Sequence, residues 1–323
     1  MHCELIVPGL LLPEPGEARH PALELLLARA RCDRPASLTL EQWLHGVFQQ
    51  PGDALAAGAL TLAYAGQDPG HAWWARADPV HLRLLRDRAV VVPGEALQLA
   101  PEEADALLAS LNRHFDSMAF KAIEPRRWVV RLGEATPFLD SPALVAAGRD
   151  VAAAGGSEAL LTEIQMLLHS HPVNEAREAR GEPAVNSLWV WGGGRMPRAA
   201  AAPWRSLAAS DPLALGLAQL AGLQRLPLPA SAEAWLERLP ESGRHLAVLD
   251  TVRAPAVLGQ QAEHEAGVAT LERSWFAPLL AALRAERIGM VTLRVPAPGA
   301  SFETTRGDLR RFWRRPRAIW RYA

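Results

Sequence analysis

The amino-acid sequence predicts an α/β protein with a mostly parallel sheet covered by helices on both faces and a smaller α+β lobe inserted into it. Strand-like apolar segments alternate with helical segments near both ends of the chain, which is typical of parallel sheets. The length of 323 residues exceeds one ordinary compact domain and fits a core with a second lobe.

The first part of the chain begins with a short apolar strand at residues 5–7. Residues 21–31 have helical spacing with an apolar face, and Pro35 follows them as a stop signal. Residues 40–49 and 54–64 are predicted to form two further helices.

The middle of the chain mixes strands and helices without the regular alternation of the ends. Trp73 and Trp74 lead into Asp78-Pro79, which we expect to be a turn. The other predicted elements are strands at 90–92 and 128–132 and helices at 100–113 and 157–169.

Alternation returns after Ser187. Strands are predicted at 188–191, 246–250 and 289–293, and a long helix at 268–285. We therefore place the core at residues 1–75 and 186–323 and the inserted lobe at 76–185.

Composition excludes several classes of protein. The chain has 34 basic and 35 acidic side chains, so no net charge draws it to nucleic acid or to an anionic membrane. No stretch reaches the roughly 20 apolar residues of a membrane span. Residues 5–12 lack a basic segment before them, and Pro8 and Gly9 interrupt them, so we expect a strand and loop there rather than a signal peptide. Two unpaired cysteines, Cys3 and Cys32, fit a reducing compartment, and we expect a cytoplasmic protein.

The most specific segment spans residues 169–194 and reads HSHPVNEAREARGEPAVNSLWVWGGG. It resembles the segment of archaeal-type cofactor-independent phosphoglycerate mutases that reads His-Pro-Val-Asn, then Arg, Gly and Pro-Ala-Asn, before a strand and a glycine loop. Val185 is one extra residue within that pattern. Residues 250–280 resemble the next block of the same family.

Two shorter segments resemble a proteobacterial branch of regulatory proteins of the RpfE type. They are RADPVHL, at residues 76–82, and PRRW, at residues 125–128. The resemblance spans most of the chain and is weakest in the first 60 residues.

The family resemblance implies an alkaline-phosphatase-like core with an inserted lobe. Active relatives use two divalent metals held by Asp and His side chains, and a Ser or Thr accepts the phosphoryl group. Two such cations need about six carboxylate or imidazole ligands.

This chain departs from the active pattern at three places. Pro8 stands after the first strand instead of an Asp, and His20 precedes the first helix instead of a hydroxyl residue. Pro296 and Ala297 follow the late strand in place of an Asp-His pair. We therefore expect no metal cofactor.

A reduced metal site remains an alternative. Asp250 and His264 are its candidate ligands, because few other Asp or His residues remain in the last part of the chain. A polar loop is the competing interpretation of the residues around His264.

Candidate ligand-binding residues lie in the segment that keeps the family pattern. Arg177 and Arg180 share one helical face and could clamp an acid together with Asn174. The alternative is a solvated face paired with neighbouring glutamates. Glycines after a strand could hold a phosphate by their N–H groups, or could simply permit close packing. The candidates are His171, Asn174, Arg177, Arg180, Asn186, Gly192, Gly193 and Gly194.

The same segment also has an architectural interpretation, which we place first. Pro172 is expected to end the helix at 157–169. Asn174 and Asn186 are expected to pin the crossing between lobe and core by side-chain hydrogen bonds.

The sequence thus predicts a catalytically inactive, phosphoglycerate-mutase-like protein with a binding or regulatory role. Its expected ligand is a small anionic acid held between the lobes, and no protein partner can be named. One alternative is an active mutase or phosphatase with a reduced metal site. Another is a nucleic-acid-associated regulator acting through the arginines and aromatics of residues 306–322, although we favour a last helix packed on the core there.

Overall fold

A computed structural model describes residues 1–14, 16, 18–48, 55–85, 89–133, 139, 141–147 and 158–323. The chain forms two compact units. Unit 1 comprises Met1–Gln49 and Ala200–Ala323, and unit 2 comprises Gln50–Ala199.

Unit 1 contains one seven-stranded sheet and the helices that cover it. Its strands are β1 (His2–Ile6), β2 (Arg31–Asp33), β8 (Ser206–Ala209), β9 (Gln224–Pro227), β10 (Arg244–Val248), β11 (Met290–Val295) and β12 (Ala300–Thr305). Its helices are α1 (Pro21–Arg29), α2 (Leu40–Val47), α8 (Pro212–Leu220), α9 (Ala232–Leu236), α10 (Arg253–Leu258), α11 (Gln261–Leu271) and α12 (Ala277–Arg284).

The sheet of unit 1 is mostly parallel. Its strand order is β2-β12-β11-β1-β10-β8-β9. The five strands from β11 to β9 are mutually parallel, whereas β12 runs antiparallel to both β11 and β2. The predicted α/β fold class is therefore confirmed, and the carboxyl ends of β1, β8 and β10 meet at one edge.

Alternate residues of β1 face the two sides of this sheet. Cys3 and Leu5 face one side, where they pack in an apolar cluster with residues of α1, α11 and α12. Glu4 faces the other side, where the indole of Trp204 donates to it and packs against Trp43 of α2. Helices thus cover both faces, as expected for a mostly parallel sheet.

Unit 2 contains a five-stranded antiparallel sheet. Its strands are β3 (Trp73–Leu84), β4 (Ala89–Val92), β5 (Ala119–Glu124), β6 (Arg127–Leu132) and β7 (Ser187–Gly194). Its helices are α3 (Ala57–Tyr64), α4 (Pro101–His114), α5 (Ala143–Ala146), α6 (Glu158–His169) and α7 (Pro172–Ala179).

The long strand β3 organises unit 2. It pairs with β7 along one side and with β6 and then β4 along the other. One face of the sheet packs on α4 and α6, and the other face packs on α3.

The predicted turn at Asp78-Pro79 is wrong, because both residues lie inside β3. Residues 77–80 pair only with β7, between the parts of β3 that pair with β6 and with β4. Strands tolerate proline where one side lacks a partner, since its missing N–H then leaves no ladder bond unmade.

The unit boundaries differ from the predicted 76 and 185. Residues 73–75 and the strand predicted at 188–191 were expected in the core, yet β3 and β7 pair with each other in unit 2. Every residue of β7 is buried, so its composition resembles that of a strand in a parallel core.

The helix predicted at 157–169 starts at Glu158 in the structure, and Ser157 lies outside the described residues. No helix in the described part of the chain is long and apolar enough to cross a membrane.

Candidate functional site

His171 caps a helix. Its Nδ1 accepts a hydrogen bond from the Val173 N–H at 3.2 Å, and its Nε2 lies 3.0 Å from the Ser110 hydroxyl. Burial lowers the pKa of His171, so the neutral ring that such a cap requires is favoured. Pro172 opens α7 here, three residues after His169, the last residue of α6.

The side chains of Asn174 and Asn186 both form hydrogen bonds to backbone groups elsewhere in the chain. Asn174 is 1 % exposed, and its side chain bonds the Leu168 carbonyl and both polar groups of Val185 at 2.8–2.9 Å. Asn186 bonds the N–H and the carbonyl of Leu82 at 2.7 and 3.0 Å. All these partners lie in unit 2, so neither residue makes the predicted link between lobe and core.

Arg177 is fully buried and all its described hydrogen bonds go to protein groups. Its Nε donates to the Pro183 carbonyl at 2.9 Å, and its Nη2 donates to the Leu97 carbonyl. Its Nη1 donates to Glu103 at 2.6 Å. The Arg177 guanidinium therefore holds a loop, a turn and α4 together.

Arg180 binds the same carboxylate from a more exposed position. Its Nη2 donates to Glu103 at 2.6 Å and to Glu182 at 2.8 Å. Burial tends to raise the pKa of Glu103, but bonds from the Ala100 N–H and the two arginines lower it overall. Arg177 and Arg180 thus converge on a protein carboxylate, as a clamp on an acid would.

The glycines that end β7 allow close packing against α3. Gly192 has φ of +59°, and a Cβ there would lie 2.6 Å from the Ala57 Cβ. A Cβ on Gly194 would lie 2.8 Å from the Ala56 Cβ. Gly193 lies between them in the same strand. These contacts explain Gly192 and Gly194 without a bound phosphate.

At the carboxyl edge of the parallel sheet in unit 1, the two metal-ligand candidates bond protein groups. Asp250, just after β10, accepts a hydrogen bond from the Ser210 hydroxyl at 3.0 Å. His264 in α11 lies with Nε2 2.8 Å from the Gly9 carbonyl. Only a protonated nitrogen can donate to a carbonyl, so Nε2 of His264 is unsuited to bind a metal.

The start of α1 is closed by a carboxylate. Glu272 accepts hydrogen bonds from the Ala22 and Leu23 N–H groups at 2.7 and 3.0 Å. Pro21 has no N–H, and the Glu24 N–H donates to the His20 carbonyl at 2.8 Å. Every N–H of the first turn therefore has an acceptor within the protein, in place of an external anion.

A cleft of about 500 Å³ lies beside this helix start. Its titratable lining groups are Glu14, His20, His264 and Glu265. Burial lowers the pKa of His20, against the opposing effect of nearby glutamates, which favours the neutral imidazole. Two carboxylates beside the neutral imidazole of His20 disfavour a phosphate in this cleft.

The two-metal centre that the sequence resemblance implies does not fit these residues. Among the residues that the structure describes, no three His, Cys, Asp or Glu side chains are grouped so that they could hold a metal ion. Asp250 and His264 bond Ser210 and Gly9 instead, and Pro8 follows β1. Two adjacent cations would need about six such ligands.

No protein-family model matches the chain, and no curated protein matches it. Solved structures do match. The PH0037 protein from Pyrococcus horikoshii has a TM-score of 0.57 at 14% identity, covering 94% of this chain and 87% of that one. A cofactor-independent phosphoglycerate mutase from Thermoplasma acidophilum has a TM-score of 0.44 at 16% identity, covering 94% and 90%. At 14% identity, the likeness to the PH0037 protein establishes a shared fold and leaves activity open.

The arginine-rich end packs on unit 1. Arg311 and Arg314 donate to the carbonyls of Arg29 and Ala30 at the end of α1. Tyr322 packs edge-on against Phe302. Phe312 and Trp313 remain exposed, and short turns replace the expected last helix.

Sequence reasoning missed Glu272, which decides how α1 begins. It lies in a π-helical turn, Glu272–Phe276, between α11 and α12. The sequence had suggested one regular helix there, and a π turn leaves no strong signal in composition.

Proposed function

We propose that this chain is a phosphoglycerate-mutase-like protein that does not transfer phosphoryl groups and is retained for a binding or regulatory role. The main support is Glu272, whose carboxylate accepts hydrogen bonds from the Ala22 and Leu23 N–H groups at the start of α1. In the active relatives that the sequence resembles, the nucleophile lies ahead of this helix. A fixed carboxylate there disfavours a phosphate by charge and by loss of donors.

The lack of a hydroxyl at the same place supports the proposal further. His20 is the residue before α1, and its burial favours the neutral form. Without a Ser or Thr, no side chain ahead of the helix can form the phosphoryl ester of the active pattern. A small acid remains the proposed ligand class, and membership of the RpfE-type branch remains a prediction.

A turnover assay tests this proposal. The full chain, supplied with Mn²⁺ or Zn²⁺, is incubated with 3-phosphoglycerate and separately with p-nitrophenyl phosphate. We expect no 2-phosphoglycerate and no nitrophenolate above a protein-free control. Metal-dependent turnover that stops on chelation and in Asp250→Asn would establish the alternative, an enzyme with a reduced metal site. Salt-sensitive retention on immobilised single-stranded DNA would instead favour the nucleic-acid alternative.

A further inference from the structure

We propose that unit 2 contains a binding site for the carboxylate or phosphate group of a small acid, in a cleft beside β3. The cleft has a volume of about 380 Å³. Its charged lining residues are Arg76, Asp78, Glu95, Arg126 and Arg127. The site lies within unit 2 and does not rest on the inactivity proposed for unit 1.

Two separate sequence segments meet at this cleft. Arg76 and Asp78 come from RADPVHL, and Arg126 and Arg127 come from PRRW. The Trp128 N–H donates to Asp78 Oδ1 at 3.3 Å and joins the two segments directly. The role proposed for unit 1 uses neither segment, so the convergence calls for its own explanation.

Arg76 is held in one orientation. Its Nε and Nη2 both donate to Asp78 Oδ1, at 3.1 and 2.6 Å. Its guanidinium lies 5.4 Å from the ring centre of Trp191, whose indole donates to Asp78 Oδ2 at 2.8 Å. The side chain is 5 % exposed. Asp78 and Trp191 thus act as positioning residues for the guanidinium.

One edge of that guanidinium remains available. Within the described part of the chain, Nη1 of Arg76 donates no hydrogen bond, and Nη2 uses one of its two protons for Asp78. The Nη1 and Nη2 protons together form the fork that matches two oxygens of a carboxylate or phosphate. A buried fork that is already oriented loses little entropy on binding.

Arg126 adds a charge that no described carboxylate balances. It is exposed and has no hydrogen bond or ion pair in the described part of the chain. Arg127 donates to Glu124 at 2.6 Å, beside the cleft. Arg76 and Arg127 are each paired with a carboxylate, so the exposed Arg126 supplies the charge that favours an anion beside the Arg76 fork.

Calorimetric titration of the full chain tests the site. Inorganic phosphate is the first probe and malonate the second, so that the two arms distinguish phosphate from carboxylate recognition. Arg126→Gln should weaken binding about fivefold, because one charged contact is lost. Arg126 is exposed and unpaired, so the unfolding midpoint should not move. Arg113→Gln removes another exposed charge of unit 2, outside the cleft, and this variant should bind as the parent does.

A second variant separates the proposal from general damage. Glu95 is exposed and lines the cleft, so Glu95→Gln should tighten binding about threefold by removing a repulsive charge. Misfolding cannot produce such a gain. Binding of either probe with both shifts supports the site and assigns its ligand class. No binding of either probe, or binding that Arg126→Gln and Glu95→Gln leave unchanged, would overturn it.

Discussion

At the scale of single residues, the two asparagines of the 171–194 segment differ in burial. Asn174 is 1 % exposed and satisfies three backbone groups, whereas Asn186 is partly exposed and satisfies two. An unpaired polar group costs more when water cannot replace the lost partner. The order of their contributions to stability is therefore expected to follow burial.

We predict that Asn186→Ala lowers the free energy of unfolding by about 1–3 kcal/mol and that Asn174→Ala lowers it more. Denaturant melts of both variants measure this. Glu175 is an exposed residue of α7, next to Asn174 in sequence, and Glu175→Ala serves as the control. Its free energy of unfolding should lie within about 0.5 kcal/mol of that of the parent. An Asn174→Ala variant that melts like the parent would contradict the architectural role.

Glu4 is a buried carboxylate whose ionised form the protein stabilises. Burial alone would raise its pKa, but the charge of Arg294 and hydrogen bonds from Arg294, Trp204 and Arg244 lower the pKa below its usual value. Trp204 and Arg244 each donate to Oε2 at 2.9 Å. A lowered folded pKa adds stability above the unfolded value of about 4.3, and that stability is lost as pH falls through the folded pKa.

Glu4→Gln should therefore lower stability at pH 7 by about 3 kcal/mol, since it leaves charged donors without their acceptor. The difference from the parent should shrink as pH falls below the unfolded value of about 4.3 and through the lower folded pKa of Glu4. Urea melts from pH 7 to pH 3 measure both effects. A parent and variant with parallel pH profiles would contradict this assignment.

At the scale of elements, Glu272 and α1 form one structural unit. Substitution of Glu272 by Ala leaves the Ala22 and Leu23 N–H groups without an acceptor and removes a negative charge from the positive end of the helix dipole. We expect a loss of about 1–2 kcal/mol in unfolding free energy. Glu263→Ala, an exposed change on α11, is the control and should be nearly neutral.

The packing of β7 on α3 gives a second prediction at this scale. Gly192→Ala meets both a positive φ and the Ala57 side chain, whereas Gly66 has φ of +77° with no atom near its missing Cβ. Gly66→Ala should cost about 1 kcal/mol for backbone strain alone, and Gly192→Ala clearly more. Thermal melts compare the two. Equal costs would show that close packing does not explain Gly192.

Element order was largely predictable from the sequence, because the apolar periods of β1, α1, α4 and β11 are plain. The placement of β7 in unit 2 was not predictable, because a strand buried on both faces has the same apolar composition in a parallel core and in a covered antiparallel lobe. Asp78-Pro79 shows a second limit. A local turn signal was overridden by pairing with β7, which lies more than 100 residues away in sequence.

The candidate site was less predictable than the fold. Sequence spacing placed Arg177 and Arg180 on one face, but it could not show that Glu103 of α4 already fills their clamp. The absence of an Asp after β1 could be predicted from the sequence, because Pro8 stands there. Glu272 was not, because its contact with α1 spans about 250 residues and depends on a π turn.

At the scale of the whole molecule, unit 1 has an α/β frame whose described residues do not group the ligands that two-metal phosphoryl transfer needs. Equilibrium dialysis against Mn²⁺ and Zn²⁺, followed by elemental analysis of the full chain, tests this claim most directly. We predict less than one equivalent of either metal per chain, with no change in Asp250→Asn. About two equivalents per chain, lost in Asp250→Asn and in His264→Gln, would contradict the account and establish a metal centre at the sheet edge.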